Sequence, residues 1–229
     1  VGFYNPYVVA RPNVVVPFDY SQPVIVNTIV TSSGDAEGEL DQTTPEQAAA
    51  LELFDEGLAK FRTGDYQGAL DRFDAALKGF PGDPVIHEVR ALGLFALQDF
   101  QAAAAALNSL LATSPGMDWT TMSSLYGNVD DYTQQLRALE QHVRSNADDA
   151  AARFLLAYHY LVMGHQDAAI DSLRVVVDLQ PRDVVARKIL DALVPPEPDA
   201  TETPAADTLV AEPPTPGDSE TDLVGSWIA

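Results

Sequence analysis

Residues 50–83 read ALELFDEGLAKFRTGDYQGALDRFDAALKGFPGD, and the punctuation of this stretch decides the fold. Small residues at Gly57, Ala69 and Ala76, an aromatic at Phe73, a turn at Gly64-Asp65-Tyr66 and a proline at Pro81 are spaced as one helix–turn–helix unit, with a period of about 34 residues. The next stretch, 84–117, keeps that period: Ala91, Leu94, Ala103 and Leu107 take the matching places, and Pro115 falls one period after Pro81. Another well-formed unit, 150–183, carries Ala157, Tyr160, Gly164, Ala169, Leu173 and Pro181. Between them, 118–149 is degenerate. Trp119, Met122, Leu125 and Tyr126 offer a short first helix and 132–143 a second, but the alanine of close approach and the closing proline are missing, and 126–131 makes a longer turn.

Local signals agree with this register. Thr44-Pro45-Glu46-Gln47 is a capping box with proline at the first helical position, and Asp83-Pro84 repeats the arrangement. Gly64 and Gly164 stand where a helix is expected to end in a left-handed residue. Residues 184–193 supply a last amphipathic helix of the polar-backed kind that closes a solenoid.

The motif set resembles the tetratricopeptide repeat (TPR) family over residues 45–194. The resemblance implies an all-α solenoid of helical hairpins, about three and a half repeats plus a capping helix. In that family small residues let the two helices of a pair approach, an aromatic fills the gap and a proline ends the pair; Gly57, Ala69, Phe73 and Pro81 match. One departure is Lys60, where Tyr or Leu is usual; Phe61 follows it. The resemblance also implies a concave groove lined by the first helix of each pair. Its lining would be Leu51, Phe54, Leu58 and Phe61, then Val85, Glu88, Leu92 and Phe95, then Trp119, Met122 and Tyr126, then Ala151, Phe154, Tyr158 and Leu161. This lining is apolar and aromatic. Family members that grip a partner's C-terminal carboxylate use Lys, Arg and Asn at such sites, and none stands here, so that clamp is not expected. Packing between adjacent helices is the competing role for each of these side chains.

The flanks differ in character. In residues 1–30, Pro6, Pro12, Pro17 and Pro23 interrupt β-branched and aromatic runs, which excludes helix and leaves edge strands or polyproline-like extensions. So apolar an arm is expected to dock. Phe3, Tyr4, Tyr7, Phe18 and Tyr20 are its candidate contacts, against the TPR groove of its own chain or of a neighbouring subunit; a small independent β-unit is the alternative. Residues 31–44 read as a flexible acidic connection whose spacing fails the calcium-loop pattern. Residues 195–221, rich in Pro, Glu, Asp and Thr without Lys or Arg, read as a disordered linker. The apolar ending 222–229, with Trp227, suits the first strand of a further domain, and the start at Val1 suits a processed or trimmed chain.

Composition removes several functions. Thirteen Lys and Arg against 34 Asp and Glu give a formal charge of −21, which opposes nucleic acid and anionic lipid. Zero cysteine removes thiolate metal sites and cysteine nucleophiles. No apolar run is long enough for a membrane span. His87, His142, His159 and His165 have no metal-ligand spacing, acid pairs such as Asp71 with Asp74 lie on helix faces, and Ser123-Ser124 has no neighbouring base. No catalytic residue, metal or cofactor is therefore expected. The expectation is a non-catalytic scaffold or assembly subunit that binds a protein partner through the groove, the arm or both, with self-association through the arm as one route. The alternative is a regulatory or targeting domain of a larger protein. Acidity, missing cysteine and a Pro/Thr/Glu linker favour a bacterial periplasm or envelope over the cytoplasm.

Overall fold

The computed structural model describes residues 2–9, 18–25 and 44–194. Of the connection at 31–44 only Thr44 is described; residues 1, 10–17 and 26–30 of the arm, the linker at 195–221 and the ending at 222–229 lie outside these. Among the described residues all regular structure is helical: α1 (Pro45–Arg62), α2 (Tyr66–Ala76), α3 (Pro84–Ala96), α4 (Phe100–Leu111), α5 (Trp119–Leu125), α6 (Val129–Ser145), α7 (Ala150–Val162), α8 (Gln166–Leu179) and α9 (Val184–Leu193).

The acidic composition is partly explained by where these helices begin. Asp65, Asp83, Asp99, Asp118, Asp149 and Asp183 are N-caps whose carboxylates accept from backbone N–H groups in the first turn of α2, α3, α4, α5, α7 and α9. Each such cap satisfies N–H groups that the first turn of a helix otherwise leaves without a partner. Thr44 and Gln47 form the expected reciprocal capping box, and Pro45 and Pro84 open their helices.

The turns repeat as regularly as the starts. Gly64 at φ 80°, Gln98 at φ 61° and Gly164 at φ 77° are left-handed. After each, an N–H reaches back to a carbonyl one helical turn earlier: Asp65 to Lys60 and Asp99 to Leu94 at 3.0 Å, and His165 to Tyr160 at 2.8 Å. Within the first pair a Cβ at Gly57 would stand 2.5 Å from the Phe73 ring, so the glycine is what lets α1 and α2 close on that aromatic.

The stacking order departs from the repeat order. α1, α2, α3 and α4 pack in sequence, but α4 then packs against α7, followed by α8 and α9. The degenerate unit between them does not form a hairpin of the expected kind: α5 and α6 meet through the rings of Trp119 and Tyr132 and not along their length, α5 lies against α1, and α6 lies against α3 and α7. The cause is local. α5 is only two turns long and buries a single residue, Met122, and Tyr126 ends it in an extended conformation at φ −84°, ψ 137°.

Candidate partner-binding surfaces

The first helices of the pairs do share a face, and the chain itself covers most of it. Phe95 is fully buried between His159, ring centroids 4.1 Å apart, and Tyr132 of α6 at 6.2 Å. Phe61 packs edge-on to Tyr126 at 4.9 Å and to Tyr66 at 5.1 Å. Tyr132 also meets Trp119 at 5.2 Å and Tyr126 at 5.4 Å, and the Tyr126 hydroxyl donates to Gln135 Oε1 at 3.0 Å. Leu92, Met122, Leu139 and Val143 complete this interior. Of the residues expected to line a groove, Phe61, Leu92, Phe95, Met122 and Tyr126 are thus core, with Trp119 packed partly buried at the edge. Packing, the competing role, holds for them. Tyr132 and His159, the centre of the cluster, had no place in that set; the one signal for Tyr132 was its position at the head of the degenerate unit's second helix.

Ala151, Phe154 and Tyr158 of α7 are buried as well. Tyr158 donates from its hydroxyl to Glu88 Oε1 at 2.6 Å, and the Met117 N–H donates to the same oxygen at 2.7 Å. Burial raises the Glu88 pKa, which these two donors oppose. Phe154 faces Tyr7 of the arm, centroids 5.1 Å apart. Among the described residues, what stays open is the start of the solenoid. Leu51 and Val85 are 47% and 50% exposed, and Phe54 and Leu58 are partly buried; Leu161, at the far end of α7, is partly buried too.

The arm docks on its own chain, and the described segments 2–9 and 18–25 contain no strand. Asn5 joins the two segments: its side-chain N–H group donates to the Tyr20 carbonyl at 2.9 Å and the Ala105 carbonyl at 2.8 Å, while its oxygen accepts the Tyr7 N–H at 3.1 Å. Tyr7 is buried and donates to Asp183 Oδ2 at 2.7 Å; burial foremost, then the Asp183 charge, raises its pKa. Tyr20 is buried and donates to His87 Nδ1 at 2.9 Å, because His87 Nε2 faces the Pro81 carbonyl at 2.9 Å and must carry the proton there. Burial pushes the Tyr20 phenol up to about 12.

Helix α4 and the turn just after it supply a ladder to the arm from positions four apart, the spacing that shares a helix face. Gln101 donates to the Tyr7 carbonyl at 2.5 Å, Ala105 accepts from Asn5, Ser109 donates to the Gln22 carbonyl and accepts the Val24 N–H at 3.1 Å, and Thr113 donates to the Val24 carbonyl at 2.6 Å. Of the expected arm contacts, Tyr7 meets a groove residue. Phe18 and Tyr20 instead pack on His87, centroids at 4.3 and 5.6 Å. Phe3 is half-buried, and Tyr4 is exposed under the Arg182 guanidinium at 4.2 Å. The arm also borders a cavity of about 740 Å³ whose apolar wall includes Val9, Phe18, Leu70, Leu94 and Leu97, with the Arg90–Asp74 ion pair at 2.5 Å on its polar side. No helix among the described residues is long and apolar enough to cross a membrane.

The repeated helix pairs, their small-residue contacts and their left-handed turns define an α-solenoid of the repeat class. The profile of the tetratricopeptide repeat matches residues 54–118 and 122–184, so the chain belongs to the tetratricopeptide repeat family. Two solved structures are similar to it. The first TPR of Spaghetti (RPAP3) bound to the HSP90 peptide SRMEEVD has 19% sequence identity and a TM-score of 0.30, over 64% of this chain and 91% of that one. MamA 41-end from Desulfovibrio magneticus RS-1 has 21% identity and a TM-score of 0.29, over 63% of this chain and 82% of that one. No match is found among curated protein sequences.

Proposed function

We propose that this chain is a non-catalytic protein–protein interaction scaffold whose partner rests on the open start of the solenoid, at Leu51, Phe54, Leu58 and Val85. Membership of a repeat family that typically serves as an interaction module supports the coarse reading. The observation that carries the finer one is the uneven covering of the shared helix face: α5 and α6 fill its centre and the arm meets Phe154, while Leu51 and Val85 keep about half their surface in water. Large apolar side chains held rigidly at an exposed edge are typical partner anchors.

Native purification with quantitative mass spectrometry tests this. The wild type and a distant surface control, Asp178→Lys, carry one protein at near-stoichiometric yield, and the pair Leu51→Asp with Val85→Asp reduces it about tenfold or more while circular dichroism stays unchanged. Equal retention by the double variant, or a wild type that carries no protein, sinks the reading. The envelope location is part of the same proposal, supported by composition alone, and recovery in the cytosolic fraction of the native host overturns it.

A further inference from the structure

We propose that His87 is an acid-sensitive latch for the arm: protonation of its imidazole releases residues 18–25 from α3 and α4. The latch is a neutral ring with both nitrogens committed. Nε2 donates to the Pro81 carbonyl at 2.9 Å, which leaves Nδ1 as the acceptor for the Tyr20 hydroxyl at 2.9 Å. Phe18 packs edge-on against the same ring at 4.3 Å, and His87 is fully buried. A second proton has one place to go, Nδ1, where the Tyr20 O–H already points. The hydroxyl must then turn away, and Tyr20, only 5% exposed, lies too deep for water to take its proton.

The surroundings of the ring set the sign. Burial, the largest influence, disfavours the imidazolium, and so does Arg90, whose guanidinium stands 5.6 Å from the centre of the Tyr20 ring; the Pro81 carbonyl and the carboxylates of Asp83 and Asp74 favour it, and the balance lowers the His87 pKa. Residues 18–25 bring one charged group of their own, Asp19, which is exposed and accepts the Ser21 N–H. Because Phe18 and Tyr20 help to bury the ring, the coupling is reciprocal: what the docked arm does to the proton, the proton does to the arm. Above pH 6.5 the ring is neutral whether the arm is docked or free, and docking does not respond to pH. Below it the uncovered ring binds a proton that the covered ring refuses, so docking weakens by up to about tenfold per pH unit until the covered ring also titrates. The other half of the arm is held by Tyr7 on Asp183 and Asn5 on Ala105, without a histidine. Release therefore uncovers Ser109 and Thr113, which Gln22 and Val24 occupy in the docked state.

The Val24 N–H, bonded to the Ser109 carbonyl at 3.1 Å, reports docking in the full chain. Its hydrogen-exchange protection, corrected for the intrinsic rate, is followed by NMR from about pH 7 to about pH 5, above the ordinary carboxylate range. The expected result is a fall of about tenfold or more, with the Leu107 amide of the α4 core better protected throughout, and a flat response in His87→Gln, which keeps a donor and an acceptor but does not titrate. Val24 protection that ignores pH, an equal fall in His87→Gln, or protection no lower than that of Leu107, which makes the opening global, overturns the proposal. The titration of the His87 ring gives a second reading that needs no change at His87. Its midpoint is expected below 6.5 and moves toward 6.5 when Phe18→Ala and Tyr20→Ala are introduced together; a midpoint indifferent to them means that the arm and the proton are uncoupled, and the latch fails. Leu51 and Val85 take no part, so this result and the partner test fail or succeed separately.

Discussion

At the residue scale the least comfortable group is His159. It is fully buried, its Nδ1 lies 3.3 Å from the Tyr132 hydroxyl, and its Nε2 has no hydrogen-bond partner. Burial lowers its pKa from 6.5 to about 3. A base with a depressed folded pKa costs stability on the acid side. Above pH 6.5 both states are neutral and nothing changes; below it the unfolded chain binds a proton that the folded chain refuses, so stability falls until about pH 3. The slope of that loss is about 1.4 kcal/mol per pH unit for one proton. His87, also lowered chiefly by burial, acts in the same direction. The pair His159→Phe with Tyr132→Phe removes both polar partners, so stability at neutral pH is expected to stay within about 1 kcal/mol. Urea unfolding at several pH values then gives a variant whose acid slope is shallower by one proton; parallel curves refute this account.

At the element scale the chain depends on its turns and its closest helix contact. Gly64, Gln98 and Gly164 do the same job in three hairpins, yet Gln98 does it with a side chain in a region that L-residues occupy at a cost. Gln98→Gly is expected to raise stability by about 0.5–1 kcal/mol despite the added freedom of the unfolded chain, seen as a melting point a few degrees higher. Gly57→Ala goes the other way. Alanine gains about 1 kcal/mol in helix propensity, but its methyl meets the Phe73 ring at 2.5 Å, and overpacking costs about 1–3 kcal/mol. A lower melting point for Gly57→Ala beside a higher one for Gln98→Gly is the outcome that supports both readings; the same sign for both does not.

At the scale of the whole molecule, the arm and α6 act as internal ligands of the solenoid. Val24 and Tyr7 are as buried as the helix core, and Asp183 serves at once as N-cap of α9, acceptor for Tyr7 and acceptor for Asn108. Removing residues 1–25 uncovers Phe154 and the α4 stripe. The expected loss is about 2–4 kcal/mol, the burial of two tyrosines less the entropy of ordering the arm, seen as a lower urea midpoint with helical content retained. An unchanged midpoint contradicts a docked arm.

The sequence by itself determined the helix pairs, their capping aspartates and prolines and their left-handed glycines, because each is set by residues within a turn or two of one another. It also marked 118–149 as irregular, through the missing alanine and proline, and set the arm apart as non-helical yet too apolar for water. Tertiary structure alone decided that α7 takes the place beside α4, and that Tyr132 and its neighbours fill the face on which Phe61, Leu92 and Phe95 were expected to line an open groove. The reason is that a face is a groove or a core according to what covers it, and the cover lies tens of residues away. Ser109 in α4 and Thr113 just past its end carry no local mark of their role, which exists only once an extended segment from the start of the chain is laid across them.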